Sequence, residues 1–305
     1  MHKTIHNIKS YLDIHADEVI KHLVFDLLHD KQKLEQHPYV SNIMNIDRLT
    51  GIHGRKDTDF ENIMSRLLDL GYDKNHLLVD QLSKQVLNLD IWCNHEDFDQ
   101  EIRAVVAYPF LIRAGYMNEK VVHNYFYKRL KKIEDTIKYR GYNFFESIDR
   151  KDENQSLIFN INPKEEALPT IYDLYAWAYV DINDQDLSHR INEIVLYIVD
   201  QRFQLIPEKA YIKSSKRSYK FAAGSVYHAV NIKQRKVLFA SLLSRFSCMK
   251  SHTYMQNILN EFDGYRDVDG LYAFPKSYLK EKKDQYHLYS GAHMSFGESK
   301  NARHG

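Results

Sequence analysis

Two stretches of the chain combine glycine, histidine and carboxylate side chains in patterns that suit acid–base chemistry. The first is GIHG at positions 51 to 54, and the second is GAHMSFGE at positions 291 to 298. A histidine titrates near neutral pH, so it can act as a general acid or base or ligate a metal. We therefore predict that His53, His293 and Glu298 are catalytic. The alternative for His293 is a histidine that only caps a backbone group in a C-terminal loop.

Five further residues near the second stretch are predicted to bind a ligand. Asp267 and Asp269 lie one residue apart beside a glycine, Tyr272 follows them, and His287 and Tyr289 precede GAHMSFGE. Two close carboxylates could hold a metal or supply an acid, but an Asp-Gly pair is also typical of a turn that ends a helix. The turn is the favoured interpretation of the two aspartates. The sequence names no metal and no cofactor.

Other acidic and metal-ligating side chains have a structural explanation. Asp57 and Glu61 follow the first stretch at the spacing of a helix start, where the helix dipole favours carboxylates. Asp90, Cys93 and His95 could ligate zinc, yet no second Cys/His pair stands nearby, which favours core packing.

Helices must position these residues, because apolar side chains recur at helical spacing along most of the chain. Glycine and proline are scarce, at 11 and 6 of 305 residues, which favours long helices with few connections. The pattern predicts helices over about 4–29, 39–48, 58–70, 75–89, 98–114, 119–139, 171–180, 186–204, 225–231, 233–248 and 251–262. The helix over 58–70, which follows the GIHG loop, should begin with a capping box formed by Thr58 and Glu61.

A Gly-Tyr pair recurs along this helical pattern. Leu70-Gly71-Tyr72 resembles Ala114-Gly115-Tyr116, with the two glycines 44 positions apart. A glycine just after a helix can adopt the left-handed conformation that ends it. A repeat of this length that holds two helices predicts stacked αα-hairpins. We expect one helical domain over residues 1–305, with an internal boundary or a long surface loop near 148–168.

The composition limits the possible partners and locations. Lys plus Arg (42) nearly cancels Asp plus Glu (41), so there is no general attraction to nucleic acid or anionic membranes. The basic run over 213–220, interleaved with tyrosines, leaves a nucleic-acid patch as a minor alternative. No apolar stretch reaches the length of about 18 residues that suggests a membrane span. The N-terminus lacks a signal-peptide pattern, which favours a cytoplasmic protein. The oligomeric state stays open.

The turn DGLYAFP at positions 269 to 275, the helix pairs and the richness in Tyr and Trp resemble the α/α-toroid superfamily. That superfamily includes squalene–hopene cyclases and protein prenyltransferases, whose repeats carry an Asp-Gly-small-aromatic turn. The resemblance covers this turn and the helix-pair rhythm over about 57–262. The cyclase DxDD motif is absent, since DVDG at 267 to 270 keeps only two of its acids. The resemblance therefore implies an architecture and no catalytic residue.

We predict an all-α fold of stacked αα-hairpins, with an α/α toroid as its closed form. The two histidine loops would lie at one mouth of a central aromatic cavity. The predicted function is an enzyme acting on a small or lipid-like molecule in that cavity. The alternative is a non-catalytic helical-repeat module that binds a protein partner through an exposed aromatic or charged groove.

Overall fold

The computed structural model describes residues 35–36, 38–54, 56, 58–92, 98–142, 148–151, 157–159, 165–181, 184–204, 210–213, 218–220, 233–268, 272 and 274–275. Within these ranges the chain is mainly helical, which confirms the predicted fold class at that level. The helices predicted over 4–29 and 225–231 lie outside the described residues. Among the described helices, none combines the length and the apolar character that a membrane span requires.

The described helices follow the predicted order closely. Their bounds are α1 (Pro38–Met44), α2 (Phe60–Asp69), α3 (Leu77–Leu87), α4 (Phe98–Arg113), α5 (Lys120–Arg140), α6 (Ile171–Tyr179), α7 (Gln185–Val199), α8 (Gln201–Gln204), α9 (Lys233–Leu243) and α10 (Thr253–Asp263). A short 3₁₀ turn over Ser247–Met249 connects α9 to α10. The predicted helix over 186–204 is divided between α7 and α8.

The Gly-Tyr repeat ends α2 and α4 in the same way. Both of its glycines have positive φ angles, 79° and 98°. The backbone N–H of Tyr72 donates to the Leu67 carbonyl at 3.0 Å, and that of Tyr116 donates to the Leu111 carbonyl at 2.9 Å. This bond to the carbonyl five residues earlier defines the Schellman motif, in which a left-handed glycine ends a helix. The predicted helix ends are therefore confirmed at both positions.

The apolar core is built mainly from contacts among α2, α4, α6 and α9. Helix α2 packs on α4, α4 packs on α6, and α6 packs on α9. Residues 171–177 of α6 are all buried, as its nearly continuous apolar sequence predicts. Aromatic edges contribute to this packing, for example between Phe60 and Phe110, whose ring centres lie 6.3 Å apart.

A small four-stranded sheet accompanies the helices, which the sequence analysis did not predict. Its strands are β1 (Ile148–Lys151), β2 (Leu157–Phe159), β3 (Ala210–Lys213) and β4 (Ser218–Lys220), in that spatial order. The β1–β2 and β3–β4 pairs are antiparallel, whereas β2 and β3 are parallel. Helices α6 to α8 lie between β2 and β3 in the chain. The segment expected to be a polar connection therefore pairs with a distant part of the sequence.

A buried carboxylate anchors the first turn of α6. Thr170 caps the helix in a capping box with Asp173. Asp173 also accepts hydrogen bonds from Tyr108 of α4 at 2.5 Å and from Arg129 of α5 at 2.9 and 3.0 Å. All four side chains are buried. Burial and the nearby Asp173 charge raise the pKa of Tyr108 far above its usual range, so Tyr108 stays a donor. One carboxylate thus joins α4, α5 and α6.

Replacing Arg129 by Met should destabilise the protein strongly, because Asp173 would stay in the core without its charge partner. Loss of one member of a buried pair costs about 3–5 kcal/mol. Urea unfolding would measure this loss. The matched control is Arg190→Met, which breaks a bidentate pair with Glu134 whose side chains are 31% and 27% exposed. That change should cost about 1 kcal/mol or less. Equal losses in the two variants would contradict this account.

Candidate functional site

The loop that carries His53 is bonded to the first turn of α2. The backbone N–H of Phe60 donates to the Gly51 carbonyl at 2.9 Å, and that of Glu61 donates to the Ile52 carbonyl at 3.1 Å. The first amides of a helix have no partner within the helix and need one from elsewhere. Here the loop supplies carbonyl groups to two of them, so the helix holds the loop in place.

The capping box predicted at Thr58 is not formed. Asp59 is the N-cap residue of α2, without a side-chain cap bond. The Thr58 hydroxyl lies 2.8 Å from the Thr50 hydroxyl instead. The Glu61 side chain turns into the protein, as described below. The prediction was wrong because the Ile52 carbonyl accepts from the Glu61 backbone N–H, which the Thr58 hydroxyl would have bonded in a capping box.

The glycines of the loop allow its backbone to pass close to the Asp59 carboxylate. Asp59 accepts hydrogen bonds from the Thr50 hydroxyl at 2.8 Å and from the Lys56 backbone N–H at 2.9 Å. A Cβ atom at Gly54 would lie 2.2 Å from Asp59 Oδ2, and one at Gly51 would lie 3.1 Å from Oδ1. Glycines in a loop can let a ligand approach the backbone closely. In the structure they admit a carboxylate of the chain itself.

His53 and Glu61 form the centre of the candidate site. His53 Nδ1 lies 2.6 Å from Glu61 Oε2, and the Tyr172 hydroxyl donates to Glu61 Oε1 at 2.7 Å. The Glu61 side chain is fully buried, whereas the His53 side chain is 30% exposed. An ionised carboxylate only accepts hydrogen bonds, so His53 donates from Nδ1. Glu61 lies in the first turn of α2, as the sequence indicated, and its buried carboxylate is bonded by His53 and Tyr172.

The surroundings of His53 favour its charged form. Burial works against the imidazolium, but the hydrogen bond and charge of Glu61, together with the charge of Asp59, outweigh it and raise the pKa of His53. The raised pKa favours the protonated ring, and a histidine that exchanges this proton can act as a general acid or base.

His53 borders a cavity of about 730 Å³ between the GIHG loop, the end of α3 and the start of α4. Volumes of about 300–1,000 Å³ are usual for small-molecule sites. The described lining residues are Leu49, Thr50, Gly51, Ile52, His53, Gln85, Leu89, Asp90, Ile91, Ile102 and Arg103. Among these described residues, the apolar side chains are aliphatic, and the one aromatic ring is the imidazole of His53.

The other predicted site residues do not join His53 within the described structure. Tyr272 is 49% exposed, and its hydroxyl donates to Asp263 at 3.2 Å. An isolated antiparallel bridge pairs Arg266 with Tyr272. The remaining predictions lie outside the described residues: Asp269, His287, Tyr289, His293 and Glu298.

The metal alternatives receive no support from the described residues. Asp90 lines the cavity, while Cys93 and His95 lie outside the described ranges. In the part of the chain that the structure describes, no group of three or more His, Cys, Asp or Glu side chains could hold a metal ion.

Sequence reasoning missed Glu61 as a site residue and gave no role to Tyr172. Glu61 lies eight residues after His53, so the spacing was visible, but a helix-start carboxylate explained it equally well. Tyr172 lies 111 residues from Glu61, and nothing local marks that contact.

No family model, curated protein or solved structure matches the chain. Function is therefore inferred from the described geometry, and the resemblance to the α/α toroids stays a prediction.

The His53–Glu61 pair predicts a specific pH dependence. Because the folded-state pKa of His53 is raised, its contribution to stability is complete below the ordinary histidine pKa of about 6.5. That contribution is lost as pH rises through the pKa of the folded protein. NMR titration of the His53 ring should give a pKa above the ordinary value in the wild type and a lower one in Glu61→Gln. An unchanged pKa in the variant would contradict the assignment.

Replacing Gly54 by Ala should displace the loop, since the added methyl group would collide with the Asp59 carboxylate. Overpacking of this kind typically costs about 1–3 kcal/mol, which urea unfolding would measure. The His53 ring signal should shift as well, because the loop sets its position. Gly264→Ala is the control for the His53 signal. Its Cβ would meet a backbone oxygen at 3.2 Å, but at the end of α10 and not in the loop, so the His53 signal should not shift. An unmoved His53 signal in Gly54→Ala would refute this role for the glycine.

Proposed function

We propose that the protein is an enzyme that acts on a small or lipid-like molecule bound in the cavity beside His53. The observation that carries this proposal is the buried Glu61 carboxylate, 2.6 Å from His53 Nδ1 at the edge of that cavity. Burying a carboxylate is costly unless its oxygens are hydrogen-bonded. A histidine without a function at the surface would not require a buried carboxylate as its partner. A carboxylate that orients a histidine at a cavity is a recurring arrangement in acid–base catalysis.

In this proposal His53 is the general acid or base. Its Nδ1 is hydrogen-bonded to Glu61, and we assign the proton exchange with the bound molecule to Nε2. Glu61 and Tyr172 are positioning residues: Glu61 fixes the ring and its tautomer, and the Tyr172 hydroxyl fixes Glu61. The proposed reaction class is proton transfer to or from a substrate near neutral pH.

We also propose that the helix pairs stack in the manner of the α/α toroids. Support comes from the successive contacts of α2 with α4, α4 with α6 and α6 with α9. The matched glycine ends of α2 and α4 favour the same arrangement, because they give two consecutive pairs the same turn.

A non-catalytic interaction module is the second candidate, and one feature favours it. A wide groove of about 1310 Å³ runs between α5, α7 and the start of α10. It is lined by charged and aromatic side chains, including Tyr142 and Tyr197, which stack with ring centres 4.7 Å apart. Under this alternative, replacing the half-buried Tyr142 by Ala should weaken capture of a protein partner, whereas His53→Gln should not.

The experiment that tests the enzyme proposal compares substrate consumption by the wild type and by His53→Gln. Each purified protein is incubated with pooled small-molecule and lipid extracts, and mass spectrometry follows which compounds disappear. At least one compound should be consumed by the wild type and about 100-fold more slowly by the variant, which is typical for loss of a general acid or base.

The matched control is His123→Gln, which removes an exposed histidine of α5 that lines neither cavity. It should consume the compound at the wild-type rate. Equal rates in the two histidine variants, or no consumption by the wild type, would reject the enzyme proposal.

A further inference from the structure

The wall of the cavity beside His53 suits a flexible chain better than a flat ring. Ile52 and Ile91 are 7% and 5% exposed and form buried parts of the lining, while Leu89 is 44% exposed. Leu49 and Ile102 complete this aliphatic set. Aromatic ligands gain much of their affinity from ring stacking, which these side chains do not offer. A saturated chain gains from aliphatic contact alone.

Arg103 supplies a positive charge to the same lining. Its side chain is exposed, and within the described residues it has no hydrogen-bond or ion-pair partner. Arg113, Arg129 and Arg190 are each paired with a carboxylate. A guanidinium group binds a carboxylate or phosphate through two parallel hydrogen bonds. Arg103 can therefore receive an anionic group from a molecule in the cavity.

Asp90 limits how negative that group can be. It lines the same cavity and likewise has no partner among the described residues. The repulsion between Asp90 and a bound anion grows with the charge of the anion. A doubly charged phosphate is therefore disfavoured more than a carboxylate. Together, the opposite charges of Arg103 and Asp90 favour a molecule with a single negative charge over a more highly charged one.

We infer that the cavity binds an aliphatic carboxylate, with its carboxylate on Arg103 and its chain along the aliphatic wall. This inference rests on the proposed function, because it takes the cavity beside His53 as the substrate site. It narrows the substrate class from a small or lipid-like molecule to one with a saturated chain and one carboxylate.

Four probes with the same eight-carbon chain test the inference on the full-length protein: octanoate, 1-octanol, octylamine and octyl phosphate. Calorimetric titration below the solubility limit or micelle-forming concentration of each probe should give octanoate the highest affinity. Arg103→Gln should weaken octanoate binding about three- to tenfold, because the arginine is exposed and its ion pair is partly screened. Binding of 1-octanol should not change. The matched control is Arg48→Gln, which removes an exposed charge next to the lining but outside it.

Several outcomes would overturn the inference. These are equal affinity for octanoate and 1-octanol, preference for octylamine or octyl phosphate, equal effects of the two arginine variants, and no binding of any probe. The proposed function fails separately. If octanoate binds through Arg103 but His53→Gln does not slow consumption of any compound, the ligand class stands and the catalytic role of His53 falls.

Discussion

The buried carboxylate of Glu61 is the constraint on which the candidate site depends. A carboxylate without solvent must be compensated by hydrogen bonds and charge. Glu61 receives them at its two oxygens, from His53 of the loop and from Tyr172 of α6. The loop can reach Glu61 because its carbonyls bond the first turn of α2. The position of the histidine thus follows from the need to satisfy one charge.

The first turn of α6 joins this site to the rest of the helical core. Tyr172 and Asp173 are neighbours in the chain, and they bond different partners. Tyr172 reaches Glu61 of α2, whereas Asp173 binds Tyr108 of α4 and Arg129 of α5. Two buried carboxylates therefore converge on a single helical turn. A site held by helices in this way keeps its geometry better than one held by loops alone.

The sequence predicted what depends on local pattern. Helix periods and the glycine ends of α2 and α4 were visible because they arise within a few residues. The sheet was missed because its strands are short and β2 pairs with β3 across α6 to α8.

The roles of Glu61 and Asp173 were missed for a related reason. Their partners Tyr172 and Tyr108 lie 111 and 65 residues away, and no single-sequence pattern records such contacts. His53 was found because glycines flank it, although those glycines accommodate Asp59 rather than a ligand.

A double-mutant cycle between His53 and Glu61 tests the central claim most directly. The free energy of unfolding would be measured for the wild type, His53→Gln, Glu61→Gln and the double variant, at about pH 6 and about pH 9. The account predicts a favourable coupling of about 1 kcal/mol or more at the lower pH, since His53 is partly exposed but bonded to a charged group. The coupling should shrink at the higher pH, where the imidazolium is lost. Additive effects at both pH values would contradict the account.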